Sequence, residues 1–320
     1  MLGDNFLNLL VTGAFGVVGT AVVKKLINEQ HQVSCFDIRN SNTKRIARKF
    51  RNKINLIWGD IRDKEKVREI VKNQDVVIHL AFILPPLVNQ KPDFAREVNV
   101  VGTQNLIEAI LAQPNPPRLI YSSSVAIYGD VREEKQPIPI TATYKSTDFY
   151  TQHKIETMDI IQKSSLEYSI YILGFVPPLD RLVFDPSMFE MPLDTKIEVI
   201  HLVDLAKAFA HGAVSKDIWG KILHISGGET CRSVYKEFLN RSMEALSIGQ
   251  IPDEAIQGAL HHSCYLDTCE SQMLLNYQSH SFDDIVKDMQ ENNKVIGFLV
   301  RLVRPLVRRY LLNKSPYYKK

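Results

Sequence analysis

The chain has 320 residues, 45% of them hydrophobic and 23% charged, enough for a large α/β domain with a smaller appended part. Its net charge of +3 hides an asymmetry: residues 294–320 carry eight Lys/Arg and no Asp or Glu, leaving 31 basic against 36 acidic side chains elsewhere. A mildly acidic body argues against a nucleic-acid-binding fold, and four cysteines without paired spacing (Cys35, Cys231, Cys264, Cys269) argue against a disulfide scaffold and for a reducing cytoplasm. No uninterrupted apolar run of about 18 residues is present to span a bilayer. The first eight residues include Asp4 and lack Lys and Arg, unlike a secretory signal.

Leu7 to Thr12 reads as a buried strand, followed by Gly13-Ala14-Phe15-Gly16-Val17-Val18-Gly19 and an apolar helical segment from Thr20 to Ile27. Strand, glycine turn and helix in that order form a dinucleotide-binding unit. Gly13 permits the turn, Gly16 lets backbone approach a pyrophosphate, Gly19 lets helix and strand pack closely, and the helix start offers free N–H groups. Gln32 to Asp37 reads as a second strand ending in a carboxylate placed to accept from the adenosine ribose hydroxyls. That carboxylate repels a 2′-phosphate and favours NAD, while Arg39 keeps NADP open.

Ile54–Trp58, Asp75–Ala81 and Arg118–Ser124 read as further strands, with helices expected over 63–72, 91–113 and 147–163. This alternation predicts an α/β fold, a Rossmann doubly wound parallel sheet whose carboxyl edge gathers Gly13, Asp37, Ala81 and Ser124. Residues 1–175 form the expected cofactor-binding core, completed by about 201–228. Residues 176–200 and 229–290 form a small substrate-binding part, and 291–320 a basic amphipathic tail.

In the helix over 147–163, Tyr150 and Lys154 lie four apart on one face. An ammonium beside the phenol is expected to lower its pKa from near ~10, so that Tyr150 could move a proton while Ser124 holds a substrate oxygen. The adjacent His261 and His262 do not have metal-ligand spacing, and no metal is expected.

Several segments together resemble the extended short-chain dehydrogenase/reductase family, in its branch of NAD-dependent epimerases and dehydratases. They are Thr12-Gly13-x-x-Gly16-x-x-Gly19, Gly59-Asp60-Ile61, His79-Leu80-Ala81, Asn99-Val100-x-Gly102-Thr103-x-Asn105, Ser122-Ser123-Ser124-x-x-x-Tyr128-Gly129, Tyr150-x-x-x-Lys154, His201-Leu202-Val203-Asp204-Leu205-Ala206 and Ile225-Ser226-Gly227-Gly228. The resemblance implies a catalytic Ser124, Tyr150 and Lys154, with Lys154 also on the nicotinamide ribose. It further implies NAD contacts from Gly13, Phe15, Gly16, Val17, Gly19, Asp37, Ser122, Leu80 and Ala81, with Asp60 and Ile61 near the adenine. Asn99 would position active-site elements, and Phe175 could stack beside the nicotinamide.

The implied reaction is hydride transfer at a secondary alcohol or ketone of a small-molecule substrate, by an epimerase, dehydratase or dehydrogenase expected to be a homodimer. Leu173-Gly174-Phe175-Val176-Pro177-Pro178 lacks the Arg and Asn that nucleotide-sugar enzymes of this family usually carry there, and the Arg that commonly precedes the His201 segment is also absent, with Lys196 nearby as a stand-in for it. A hydroxysteroid-dehydrogenase-like activity on a lipid or isoprenoid alcohol is therefore a second reading, and a non-catalytic NAD-sensing scaffold a third.

From Lys294 to about Leu312 the tail is amphipathic at helical period. Lys294, Arg301, Arg304 and Arg308 share one face, with Val295, Leu299, Leu302, Val303, Leu306 and Tyr310 opposite, and Pro305 is expected to kink or split the helix. Peripheral contact with an anionic membrane fits this pattern. Docking of the apolar face on the protein body or a second subunit fits it better.

Overall fold

The structure, a computed structural model, describes residues 6–179, 186–259 and 262–318; the expectations touching 1–5, 180–185, His261 and the last two residues lie outside the described residues. The strands are β1 (Asn8–Thr12), β2 (Gln32–Asp37), β3 (Asn55–Trp58), β4 (Val76–His79), β5 (Arg118–Ser124), β6 (Tyr168–Leu173), β7 (Lys196–Glu198), β8 (Lys221–Ile225) and β9 (Arg232–Val234). Seven form one parallel sheet in the order β3-β2-β1-β4-β5-β6-β8, while β7 and β9 make a separate antiparallel pair.

Alternation within β1 explains why the sheet is covered on both sides. Leu9 and Val11 face Val22, Val23 and Leu26 of helix Val17–Asn28 together with Phe209 of helix Leu202–Val214. Leu10 faces the other way, into a cluster containing Leu106 and Ile110 of helix Gly102–Leu111 and Met158 of helix Phe149–Lys163. Burial on both faces is what lets these strands be almost continuously apolar.

The expected helix over 91–113 is three pieces: Pro92–Arg96, a single π turn at Glu97–Val101, and Gly102–Leu111. The wide turn carries Asn99, whose side chain is bonded to a neighbouring loop. The next turn opens on Gly102, where a Cβ would press on the side chain of Ile61. The first helix begins at Val17, earlier than the apolar run at Thr20 suggested, because Gly16 already serves as its cap. The helix carrying Tyr150 begins at Phe149, where Asp148 and Thr151 form a reciprocal cap.

A third core gathers Phe189, Ile197, Val199, Phe238, Ile285 and Met289 and belongs to the C-terminal lobe built around β7, β9 and helices Tyr235–Ala245 and Phe282–Asn292. Its centre is an ion pair that the sequence did not suggest. Glu198, fully buried, meets Arg232 at 2.9 Å and accepts from the backbone N–H of Gly228 and Leu266.

Pro305 splits the tail into helices Lys294–Leu302 and Arg304–Leu312, the proline sitting in the first turn of the second. Among the described residues, no helix is long and apolar enough to cross a membrane. The expected packing of the tail's apolar face on the body is not found within the chain: Leu299, Leu302, Leu306 and Tyr310 are exposed.

Candidate active site

Four segments meet at the carboxyl edge of the sheet because their strands are register neighbours: Thr12 pairs with both Phe36 and His79, and His79 pairs with Tyr121. The Gly13 turn, the end of β2, the loop after β4 and Ser122–Ser124 therefore lie side by side. Gly13 has φ +66°, and a Cβ there would stand 2.7 Å from the backbone nitrogen of Ala81. Only glycine allows this crossing of the β1 turn and the β4 loop. A Cβ on Gly19 would overlap the Gly13 carbonyl oxygen, so the helix can run this close to the turn only without a side chain there.

Gly16 caps the helix with no side-chain partner, and the first turn holds no acidic residue. Its N–H groups and positive dipole end, with Val17 exposed at the first position, suit a diphosphate. Asp37 ends β2 half-buried and accepts from the backbone N–H of Phe15 at 2.9 Å and of Ile38 at 2.8 Å. Burial raises its pKa against those two bonds. The Phe15 ring leans on Trp58, with centroids 5.6 Å apart.

Below the edge runs a buried polar chain. Thr12 Oγ1 bonds His79 Nδ1 at 2.7 Å, His79 Nε2 bonds Thr103 Oγ1 at 2.9 Å, and Thr103 donates to the Asn99 carbonyl. The N–H groups of Leu80 and Ala81 both lie 3.3 Å from Thr12 Oγ1. Burial, aided by the nearby Lys154 charge, pushes the His79 imidazole down to about 3, so it is neutral. Asn99 clamps the loop beyond: its Oδ1 accepts from Ile83 N–H at 2.6 Å and its Nδ2 donates to Ile83 O at 3.1 Å.

Ser124 ends β5, and Tyr150 and Lys154 project from successive turns of helix Phe149–Lys163. The Ser124 hydroxyl lies near enough to the Tyr150 phenol to favour its ionised form. Lys154, 3% exposed, donates from Nζ to the Ser122 carbonyl at 2.6 Å and lies 3.6 Å from the centroid of the Phe82 ring and 6.0 Å from that of Tyr150. The ring of Phe82 in turn meets Tyr150 edge-on. Phe82 opens the apolar segment Phe82–Leu87 after β4, and no sequence spacing places its ring over the lysine.

One expectation needs correction. The protein's own groups do not lower the Tyr150 phenol: burial pushes it up to about 12, although the nearby Ser124 hydroxyl works the other way. Burial also holds Lys154 well below the usual lysine range, and the lysine is engaged by a carbonyl rather than by the phenol.

Asp60 is bound through both oxygens by Arg62, which also reaches Glu97. Ile61 is buried against Gly102. Phe175 follows β6 and stacks edge-on against Phe238 in the C-terminal lobe. His201 and Asp204 have structural partners: His201 Nε2 lies 3.1 Å from Asp288, and Asp204 accepts from the backbone of Ser279 and His280. Among the described residues there is no cluster of three or more His, Cys, Asp or Glu able to hold a metal.

A seven-stranded parallel sheet with a glycine turn, a bare helix start and a Ser-Tyr-Lys grouping on its carboxyl edge defines a dinucleotide-binding protein class. Residues 9–179 match the model of the NAD dependent epimerase/dehydratase family, and the chain belongs to that family. It is 28% identical over 187 residues to a UDP-glucose 4-epimerase of Pisum sativum, covering 53% of this chain and 52% of that protein. It is also 28% identical over 234 residues to a bifunctional UDP-glucose and UDP-xylose 4-epimerase of Arabidopsis thaliana, covering 66% and 65%. The matched region thus spans about half to two thirds of the length of these relatives.

In fold it resembles the UDP-glucose 4-epimerase of Bifidobacterium longum solved with NAD+ and UDP, with TM-score 0.74, 19% identity and coverage of 90% and 98%. A short-chain dehydrogenase/reductase superfamily protein of Agrobacterium tumefaciens solved with NAD has TM-score 0.75, 15% identity and coverage of 93% and 99%.

Proposed function

We propose that the chain is an NAD-dependent epimerase acting on nucleotide sugars. The observation that carries this reading is the meeting of Ser124, Tyr150 and Lys154 beside the Gly13 turn and the uncapped start of helix Val17–Asn28. The relatives, UDP-sugar 4-epimerases by name, supply the substrate class.

The residues present fit NAD. The first N–H groups of helix Val17–Asn28, from Val17 on, face a diphosphate with no acidic residue in that turn, while Gly13 and Gly16, whose own N–H groups are held by Phe36 O and Gly13 O, would let it approach the backbone. Asp37 offers its remaining lone pairs to ribose hydroxyls while repelling a 2′-phosphate. Leu80 and Ala81 would line the dinucleotide, Ile61 and Asp60 the adenine end, and Lys154, with Ser122 behind it, the nicotinamide ribose. When bound, NAD supplies the carbon that takes hydride from a secondary alcohol and returns it to either face of the ketone.

The chain's own groups handle the proton. Ser124 holds the reacting oxygen by hydrogen bond, and Tyr150 Oη accepts its proton and later gives it back. A phenol raised by burial needs positive charge near it to act as a base. Lys154 supplies that charge by exchanging the Ser122 carbonyl for the ribose and the phenolate.

A hydroxysteroid-dehydrogenase-like reading is favoured by one observation. Residues 173–178, at the end of β6, have no Arg or Asn, and the guanidinium of Arg232 is already held by Glu198 and the Leu266 carbonyl. Purified protein separates the two. An epimerase releases NAD only on denaturation and interconverts UDP-glucose and UDP-galactose, whereas freely exchanging cofactor with no interconversion supports the alcohol dehydrogenase. Tyr150→Phe is expected to abolish turnover with NAD retention unchanged; full activity in that variant rejects the assignment of Tyr150.

A further inference from the structure

The two tail helices turn their apolar side away from the protein. Arg304 donates from Nε to the Ile248 carbonyl at 2.9 Å, and Arg308 donates from Nη1 to Ile248 O at 3.2 Å and to Gln250 O at 2.6 Å. Gly249 lies so close beneath the Arg304 guanidinium that a Cβ there would overlap it. Gly297, Val300 and Leu311 are buried on this same inner side.

With these anchors directed inward, Val295, Phe298, Leu299, Leu302 and Leu306 stand outward at 75, 62, 55, 67 and 67% exposure. Lys294, Arg301, Arg309 and Lys314 are exposed on the same segment, and residues 294–320 contain no acid to balance them.

We propose that this face docks on the surface of an anionic lipid bilayer, its leucines and Phe298 at the boundary of the acyl chains and its cations among the headgroup phosphates. The chemistry favours a bilayer over a second copy of the chain. A symmetric pairing of this face would bring two sets of exposed cations together around an apolar seam, while an anionic surface neutralises them. Each helix has nine residues, about 13 Å of rise, which suits lying in the interface and not crossing it. The break at Pro305 lets the two segments follow the surface independently. The proposal does not depend on the catalytic reading, since none of these residues belongs to the candidate active site.

The test is co-sedimentation of the full chain with vesicles of phosphatidylcholine alone and of phosphatidylcholine mixed with phosphatidylglycerol. The wild type is expected to pellet with the mixed vesicles and only weakly with the neutral ones. Arg301→Gln with Arg309→Gln should lower partitioning about 25-fold, from the contribution of basic residues near an anionic surface. Leu302→Glu with Leu306→Glu should abolish it, with the melting temperature unchanged because both side chains are largely in water. The idea is overturned if the wild type stays in the supernatant, or if the leucine variant pellets as the wild type does. It is equally overturned if, without lipid, the wild type is a dimer that the leucine variant turns into a monomer.

Discussion

Lys154 sets its ammonium against the face of Phe82, 3.6 Å from the ring centroid, while donating to the Ser122 carbonyl behind it. The ring thus shields from water the one buried cation of the candidate site, and burial is what holds the Lys154 pKa down. Phe82→Ala admits water to Nζ and raises that pKa. Its loss of cation–π contact, about 0.5–2 kcal/mol, acts in the opposite sense and is the smaller effect. The basic limb of the pH–rate profile, where the ammonium gives up its proton, should therefore move to higher pH. An unmoved limb would show that Phe82 does not control the lysine.

Ser124→Ala removes the hydroxyl that opposes burial at Tyr150. Losing an interaction that favours the phenolate raises the phenol pKa further, so the rising limb of activity should shift to higher pH. Turnover should fall by about 10²–10³, as for removal of one oriented donor to a reacting oxygen. Measuring kcat across pH for both proteins checks both statements.

Gly13→Ala combines a positive φ with a Cβ 2.7 Å from backbone. The strained φ alone costs about 1–3 kcal/mol, and the contact with Ala81 adds to it because backbone cannot swing aside. A melting temperature lowered by several degrees, with NAD binding weakened, is the expected result. Equal stability would mean that the β4 loop can retreat.

Acid stability should report His79. Its folded pKa of about 3 lies below the unfolded value near ~6.5, so the unfolded chain takes up the proton first. The stability held by the neutral ring is complete above about pH 6.5 and is lost as the pH falls toward 3, at about 1.4 kcal/mol per unit for one such group. His224, pushed down to about 4 chiefly by burial, adds a loss of the same sign. Thermal melts between neutral and acid pH should fall steeply for the wild type and less steeply for His79→Gln, the slope being the readout and not the absolute stability.

Most of the cofactor side was legible because local physics dictates it. A two-face-buried strand must be apolar, a strand-to-helix crossing this tight must be glycine, and Asp37 ends its strand wherever the register sets it. What stayed hidden depends on contacts distant in sequence. The π turn exists where Asn99 reaches Ile83, 16 residues away, which no helical periodicity encodes. The tail's pattern separated an apolar stripe from a basic one but favoured the wrong one of them for contact with the body. That was decided by two carbonyls at Ile248 and Gln250 that attract arginine. The phenol's direction of shift was misjudged because spacing brings Lys154 near Tyr150 but says nothing of how thoroughly both are withdrawn from solvent.

Helix Leu202–Val214 lies along helix Val17–Asn28 on one side, and on the other its Asp204 grips the backbone at Ser279 and His280, just before helix Phe282–Asn292. It is a shared beam between the nucleotide-facing half and the C-terminal lobe. A swing of one part against the other would therefore have to break the Asp204 bonds at Ser279 and His280 or slide this helix along its neighbour.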